Sequence, residues 1–340
     1  MNWERAVELL LMIGEFMSRL LLLTILMGIV WGGQNPTSAD QPFATPAEVT
    51  NAALVYWQSF ALLPDLSDVE VEQIKMVERG EVDLDASSGI LAKSQSAINL
   101  AKIVPVEAGC RWELIEDGPG TMLPHLGKAR RLATLLAIQA RIHSADGESD
   151  AAVDCLVTAM LLARNVDEGV LVQLLVGNAI ESTVIDSAIA ISDQFGAKDR
   201  TRLGEAVASL PPRSNVADAM RYEKEVFGVW IRDLVQSETK VASQTLARLG
   251  LPQDDVQSIM AGPPETRAKH VNELDQVYDR TILASLLPAD EAIGALQDLE
   301  EDYQTSKNPL IKNLMPSTLQ VFRKHSEIDQ KVVGFLANLD

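Results

Sequence analysis

Helix start and stop signals recur along this 340-residue chain, and the strict polar–apolar alternation of a half-buried strand is nearly absent. Thr45-Pro46-Ala47-Glu48 is a capping box with proline at the first helical position, opening a helix that Pro64 closes. Ser67 and Glu70 make a second box, with Leu66 and Val71 as its apolar staple and Gly80 as its stop. A third helix is expected over Ala86–Ile103, before Pro105. Helix resumes over Pro124–Ala145, turns at Gly147 and returns over Ser149–Val166. Further helices follow to the end of the chain, punctuated at Gly196, Pro211-Pro212 and Gly262-Pro263-Pro264. About eleven helices with short connections predict an all-α protein, either a solenoid-like array of helix pairs or a stacked bundle.

Within the pair spanning 124–166, Ala140, Gly147, Ala152 and Ala159 fall where tetratricopeptide-like pairs need small side chains for close approach. The next segment is apolar almost all round. From Val170 to Ile180 only Gln173, Gly177 and Asn178 break the run, which predicts a helix buried between neighbours rather than a membrane span. The expected organisation is a helical-repeat-like domain over 40–261 and a C-terminal helical subdomain over 265–340, with the seam at the Gly-Pro-Pro run.

The N-terminus predicts a compartment. Leu20–Trp31 is an uncharged apolar run of twelve residues, shorter than the roughly 20 a spanning helix needs. With Met17 as the true start, Ser18-Arg19 is a positive n-region and Thr37-Ser38-Ala39 a small-x-small signal for cleavage between Ala39 and Asp40. Residues 1–39 are therefore expected to be a signal peptide, and the protein exported to the periplasm or cell envelope. The alternative is an inner-membrane anchor over residues 9–31, which would then be the chain's one membrane contact.

Several function classes are excluded or unsupported. Asp and Glu number 48 against 29 Lys and Arg, a net charge of −19. Phosphate affinity depends on neutralising cations, so nucleic acid is not an expected partner. Two cysteines support neither a zinc ribbon nor a disulfide-dense scaffold. There is no nucleotide-binding glycine loop, no G-x-S-x-G elbow and no H-E-x-x-H helix. Asp83-Leu84-Asp85 opens like a calcium loop, but Ser88 and Ser94 stand where the turn glycine and bidentate glutamate belong. No cofactor and no metal are expected.

The residues singled out lie mainly around one irregular stretch. Between Pro105 and Met122 helical periodicity lapses, and long ordered loops in helical proteins are often functional. Trp112 in that loop and His125 just after it are binding candidates. Lys128, Arg130 and Arg131 form a basic cluster, either an anion or acidic-partner site or a solvated face paired with local acids. Glu181 is expected to be buried, and a buried carboxylate needs a partner; Arg164 or Arg141 could supply it, or Glu181 could be a functional acid. Cys110 and Cys155 are a disulfide candidate that would close 46 residues, or else two unrelated buried thiols. A bridge there would stabilise by roughly 4 kcal/mol in the chain-entropy model.

Four segments, NAALVYWQSFALLP (51–64), the stretch from CRWELIEDGPGTMLPH onward (110–156), LLVGNAIES (174–182) and NPLIKNLMP (308–316), resemble a family of exported helical proteins of planctomycete bacteria. The resemblance implies compartment and helical fold, and brings no activity with it. The leading expectation is an exported, non-enzymatic binding or scaffold protein with a protein partner in the cell envelope. The alternative is an all-α enzyme whose site joins the 110–125 loop to Glu181.

Overall fold

A computed structural model describes residues 49–237 and 239–339, which hold fourteen helices and no strand. The expected signal segment 1–39, its Ala39–Asp40 junction, the alternative anchor at 9–31 and the capping box at 45–48 lie outside the described residues.

The first described helix, α1, covers Ala52–Leu62. Its cap is Asn51, whose side-chain oxygen accepts from the Ala53 N–H. Asn51 also exchanges hydrogen bonds with the Arg111 backbone, and the Ala52 N–H donates to the Gly109 carbonyl. The start of α1 is therefore set by a segment 60 residues further along, which local periodicity cannot register. Helix α2 (Asp68–Glu78) begins at the expected capping box, with Ser67 and Glu70 reciprocally bonded. It is followed by α3 (Ser88–Ala101), α4 (Pro124–Ala145) and α5 (Ser149–Val166). Helices α4 and α5 form a hairpin whose turn passes through Gly147 at φ 77°, where glycine costs least.

Next come α6 (Leu171–Ile191) and α7 (Ala197–Ala208). The segments Val216–Glu223, Lys224–Gly228 and Val229–Gln236 run on as one helix, α8, with a π turn in its middle. The chain then continues through α9 (Thr239–Arg248), α10 (Gln253–Met260), α11 (Pro264–Ser285), α12 (Ala289–Thr305), α13 (Pro309–Leu314) and α14 (Thr318–Ala337). The six-residue α13 is too short to show a period. Its marks are Asn308, which caps the Leu310 N–H, and proline at the first position.

The buried apolar residues form two clusters. One gathers α1 to α7 with Phe335 and Leu339 from the end of the chain. The other gathers α8 to α14 with Leu171 and Leu174. Helix α6 belongs to both: its first turns enter the second cluster, and Ile180, Val184 and Ile185 enter the first. With the turn that follows, α6 is long and apolar enough to cross a membrane. Its packing against α4, α5 and α14 makes it the spine of the fold, as expected from its all-round apolarity. The change from one cluster to the other falls at Pro211-Pro212. Gly262-Pro263-Pro264 is a turn between α10 and α11, and both of those helices contribute to the second cluster.

Candidate binding cleft and buried ion network

Helix α1 presents Tyr56, Trp57 and Phe60 to the loop that precedes α4. Trp112, 7% exposed, lies parallel to Phe60 with ring centres 6.0 Å apart, and edge-on to Trp57 at 5.7 Å. Its other neighbours are Tyr56 at 5.9 Å and His125 at 4.3 Å. The indole N–H donates to the Asn165 carbonyl at 2.8 Å, and the Asn165 amide donates to the Tyr56 hydroxyl at 3.1 Å. The aromatic group is thus pinned to the end of α5 by directional bonds as well as by stacking. His125 is fully buried, and neither ring nitrogen has a partner. Burial pushes its pKa down to about 4, so the ring is neutral at pH 7.

Beyond Trp112 the loop turns outward and is fastened again. Glu113 sits at φ 51°. The Tyr222 hydroxyl of α8 donates to Glu116 at 2.6 Å. Gly118, at φ 50°, lies so close to the Trp230 ring that a Cβ there would be 2.4 Å from it. Thr121 ties the tip together, accepting from the Asp117 N–H and donating to the Gly118 carbonyl. Between this loop and α1 is an open cleft of about 600 Å³, lined by Leu54, Trp57, Leu114, Ile115 and Met122. Ile115 is 88% exposed, Leu54 58% and Met122 52%. Scattered apolar side chains on a surface need no explanation, but three that line one cleft over an aromatic base make it the candidate binding surface.

Two of the three bases in the cluster brace the end of α1. Lys128 donates to the Phe60 carbonyl and Arg131 to the Pro64 carbonyl, at the C-terminal end of α1. Arg141 does the same for Val77 in the last turn of α2. Cations placed there satisfy helix-end carbonyls and complement the helix dipole. Arg130 is exposed to solvent.

Glu181 takes part in a separate constellation. Its two carboxylate oxygens pair with Arg164 at 2.8 Å and Arg213 at 2.6 Å. Arg164 was an expected partner; Arg141 is engaged elsewhere, and Arg213 takes the second place. Arg213 also donates to Asn178 and pairs with Asp329, and His325 contacts both of these. Asp167 completes the group, accepting from the Ser214 N–H and hydroxyl. Burial pushes Asp167 up to about 7, against the lowering effect of those bonds and of Arg164. His325 is pushed down to about 4 by burial and by the nearby Arg213 and Arg164. The α6 members of this polar group, Asn178 and Glu181, flank Ile180 of the first apolar cluster and follow Leu174 of the second.

The structure thus joins Trp112 to His125, has Lys128 and Arg131 of α4 reach carbonyls at the end of α1, and gives Glu181 other partners. Arg164 and Asn165 are adjacent on α5 and serve the two constellations separately. The disulfide candidate is corrected: Cys110 and Cys155 are free thiols. Cys110 lies beside the Ala53 N–H and Cys155 beside the Lys102 amine, so packing draws them to different elements. Burial raises both thiols, Cys110 to about 12. Nothing along the sequence marks Arg213 as the second partner of Glu181, or Asp167, Asn178 and His325 as members of the surrounding network. Arg213 and His325 lie on different elements from Glu181, and nothing in the local pattern marks such a meeting. No protein-family model matches the chain, and no curated protein or solved structure compared with it matches either.

Proposed function

We propose that this is an exported, non-enzymatic helical binding protein of the cell envelope, which takes an apolar segment of a partner protein into the cleft between α1 and the 109–123 loop. The observation that carries this reading is the exposed Leu54–Ile115–Met122 surface over an aromatic base that stacking and hydrogen bonds hold rigid. A preformed site loses little conformational freedom on binding. Glu181, which could have been a functional acid, is occupied by two guanidinium groups, and the binding candidate His125 is sealed among aromatic rings, which favours binding over catalysis. Export rests on the signal-like pattern of residues 1–39, and kinship with paired-helix repeats on the spacing within the α4–α5 hairpin.

The test is selection from a random peptide display library on the whole protein, with counter-selection on a Leu54→Glu/Ile115→Glu variant. Both positions are exposed, so the variant folds. Enrichment of peptides sharing an apolar core, with binding lost in the variant, supports the proposal. Failure to enrich any peptide over the counter-selection overturns it.

A further inference from the structure

We infer that Glu113 selects the charge of the partner, and that the occupant of the cleft is an apolar protein segment bearing a lysine or arginine beside its apolar residues. The inference rests on the cleft reading above and adds the partner's chemistry to it.

Glu113 is the one non-glycine residue with positive φ among the described residues. Such backbone is disfavoured for any residue with a Cβ, and glycine would adopt it freely. The turn takes the chain from Trp112, whose ring is buried in the aromatic floor of the cleft, to Ile115, which stands exposed on its wall. Glutamate is not needed for that purpose. Its side chain makes no hydrogen bond among the described residues. Its single ionic neighbour is Arg111 at 3.8 Å, with the two side chains 83% and 68% exposed. A pair so exposed and so long adds little to the fold. What the glutamate does add is a carboxylate on the wall of an apolar cleft.

The surroundings give that carboxylate its complement. Glu107, Glu113, Glu116 and Asp117 face Arg111 alone in the same stretch, within a chain of net charge −19. Glu116 is engaged by the Tyr222 hydroxyl. Glu113 and Asp117 line the cleft itself with Arg111, two acids to one base, and the long exposed Arg111–Glu113 pair leaves the Glu113 carboxylate open to an incoming cation. Complementary charge at an interface rim governs partner choice and encounter rate more than total affinity. An apolar segment carrying a cation fits, and one carrying an anion is repelled.

The experiment measures fluorescence anisotropy of synthetic peptides that share one apolar core flanked by lysine, glutamine or glutamate, on the full chain at low and high salt. The wild type is expected to prefer the lysine-flanked peptide over the glutamine-flanked one by about threefold to fivefold, the scale of a single rim ion pair, with the preference fading in salt. Glu113→Gln keeps the backbone demand and removes the charge, so it is expected to abolish the preference. Glu113→Lys is expected to reverse it, and Arg111→Gln to increase it. Glu113→Gly is expected to lose the preference while its melting temperature rises, which separates recognition from folding. A lysine preference that persists in both Glu113→Gln and Glu113→Lys overturns the inference, while the cleft reading stands if Ile115→Glu still loses every peptide. Binding of none of the three peptides to the wild type, after a successful library selection, also overturns the inference. Failure of the selection itself removes the cleft reading beneath it.

Discussion

The imidazole of His125 lies almost parallel to the indole of Trp112, their centres 4.3 Å apart and their planes inclined by 20°, and neither imidazole nitrogen has a hydrogen-bond partner. A buried polar ring without partners is tolerated here because it is neutral and because stacking offsets part of its lost hydration. Replacing His125 by Phe keeps the stack and removes two unpaired polar atoms. The variant is expected to be as stable as the wild type or more so by up to about 2 kcal/mol at pH 7, as removal of an unsatisfied buried group implies. Urea unfolding monitored by circular dichroism measures it.

Truncating Trp112 acts in the opposite direction. The ring fills the space between α1 and α4, and its N–H satisfies the Asn165 carbonyl. Trp112→Ala is expected to cost about 3–5 kcal/mol, the range for large aromatic truncations in cores. Loss of peptide binding should accompany it, because the cleft floor rests on this residue. A variant that unfolds at the wild-type urea concentration would show the aromatic base to be superficial.

His125 also imposes a pH dependence. Its pKa is about 4 in the folded protein and about 6.5 unfolded. Between these values the unfolded chain holds more protons, so this residue's contribution is intact above about 6.5 and is lost as pH falls towards 4. Asp167, held near 7, and Glu223, raised by burial, have the opposite sign, since the folded state keeps their protons longer. The clean observable is therefore a difference between proteins. Relative to the wild type, His125→Phe should gain stability steadily from pH 6.5 to pH 4, by up to about 3 kcal/mol. Asp167→Asn should gain stability relative to the wild type as pH rises from about 4 to 7. Equilibrium unfolding at half-unit pH steps reads both slopes.

The polar layer on α6 is expected to be intolerant of change. A Cβ at Gly177 would lie 2.4 Å from the Asp167 Cβ and 2.9 Å from the Ala163 carbonyl. Gly177→Ala should cost about 1–3 kcal/mol through forced separation of α5 and α6. Glu181→Gln leaves Arg164 and Arg213 facing each other without their shared anion, and should cost about 3–5 kcal/mol. If α6 couples the two apolar clusters, both variants lower one common thermal transition. Two resolved transitions in the wild type would refute that coupling.

Both cysteines should be found as thiols. Protein recovered from an exporting bacterial host, unfolded and alkylated without reductant, is expected to carry two alkyl groups and to lack residues 1–39. In the folded state the labelling should be slow, because burial suppresses the thiolate at Cys110 and Cys155. A mass two hydrogens low without label would restore the bridge, and an uncleaved mass would favour the anchored alternative.

Sequence alone determined the helical class and most helix ends, because caps, prolines and glycines act within one turn of where they stand. Ser67 and Glu70 cap α2, and Pro124 and Gly147 bound α4, as local chemistry requires. It also determined that the first half of α6 is buried between neighbours, since a segment apolar almost all round has no face for water. Tertiary structure decided what each polar residue is for. Lys128 and Arg131 look like a basic patch along the chain, yet in the fold they reach carbonyls at the end of α1. The start of α1 depends on Arg111, the orientation of Trp112 on Asn165, and the state of Glu181 on Arg213. In each case the partner is 32 or more residues away. Helix propensity is summed locally, whereas burial and ion pairing depend on which surfaces meet, and that meeting is a property of the packed chain.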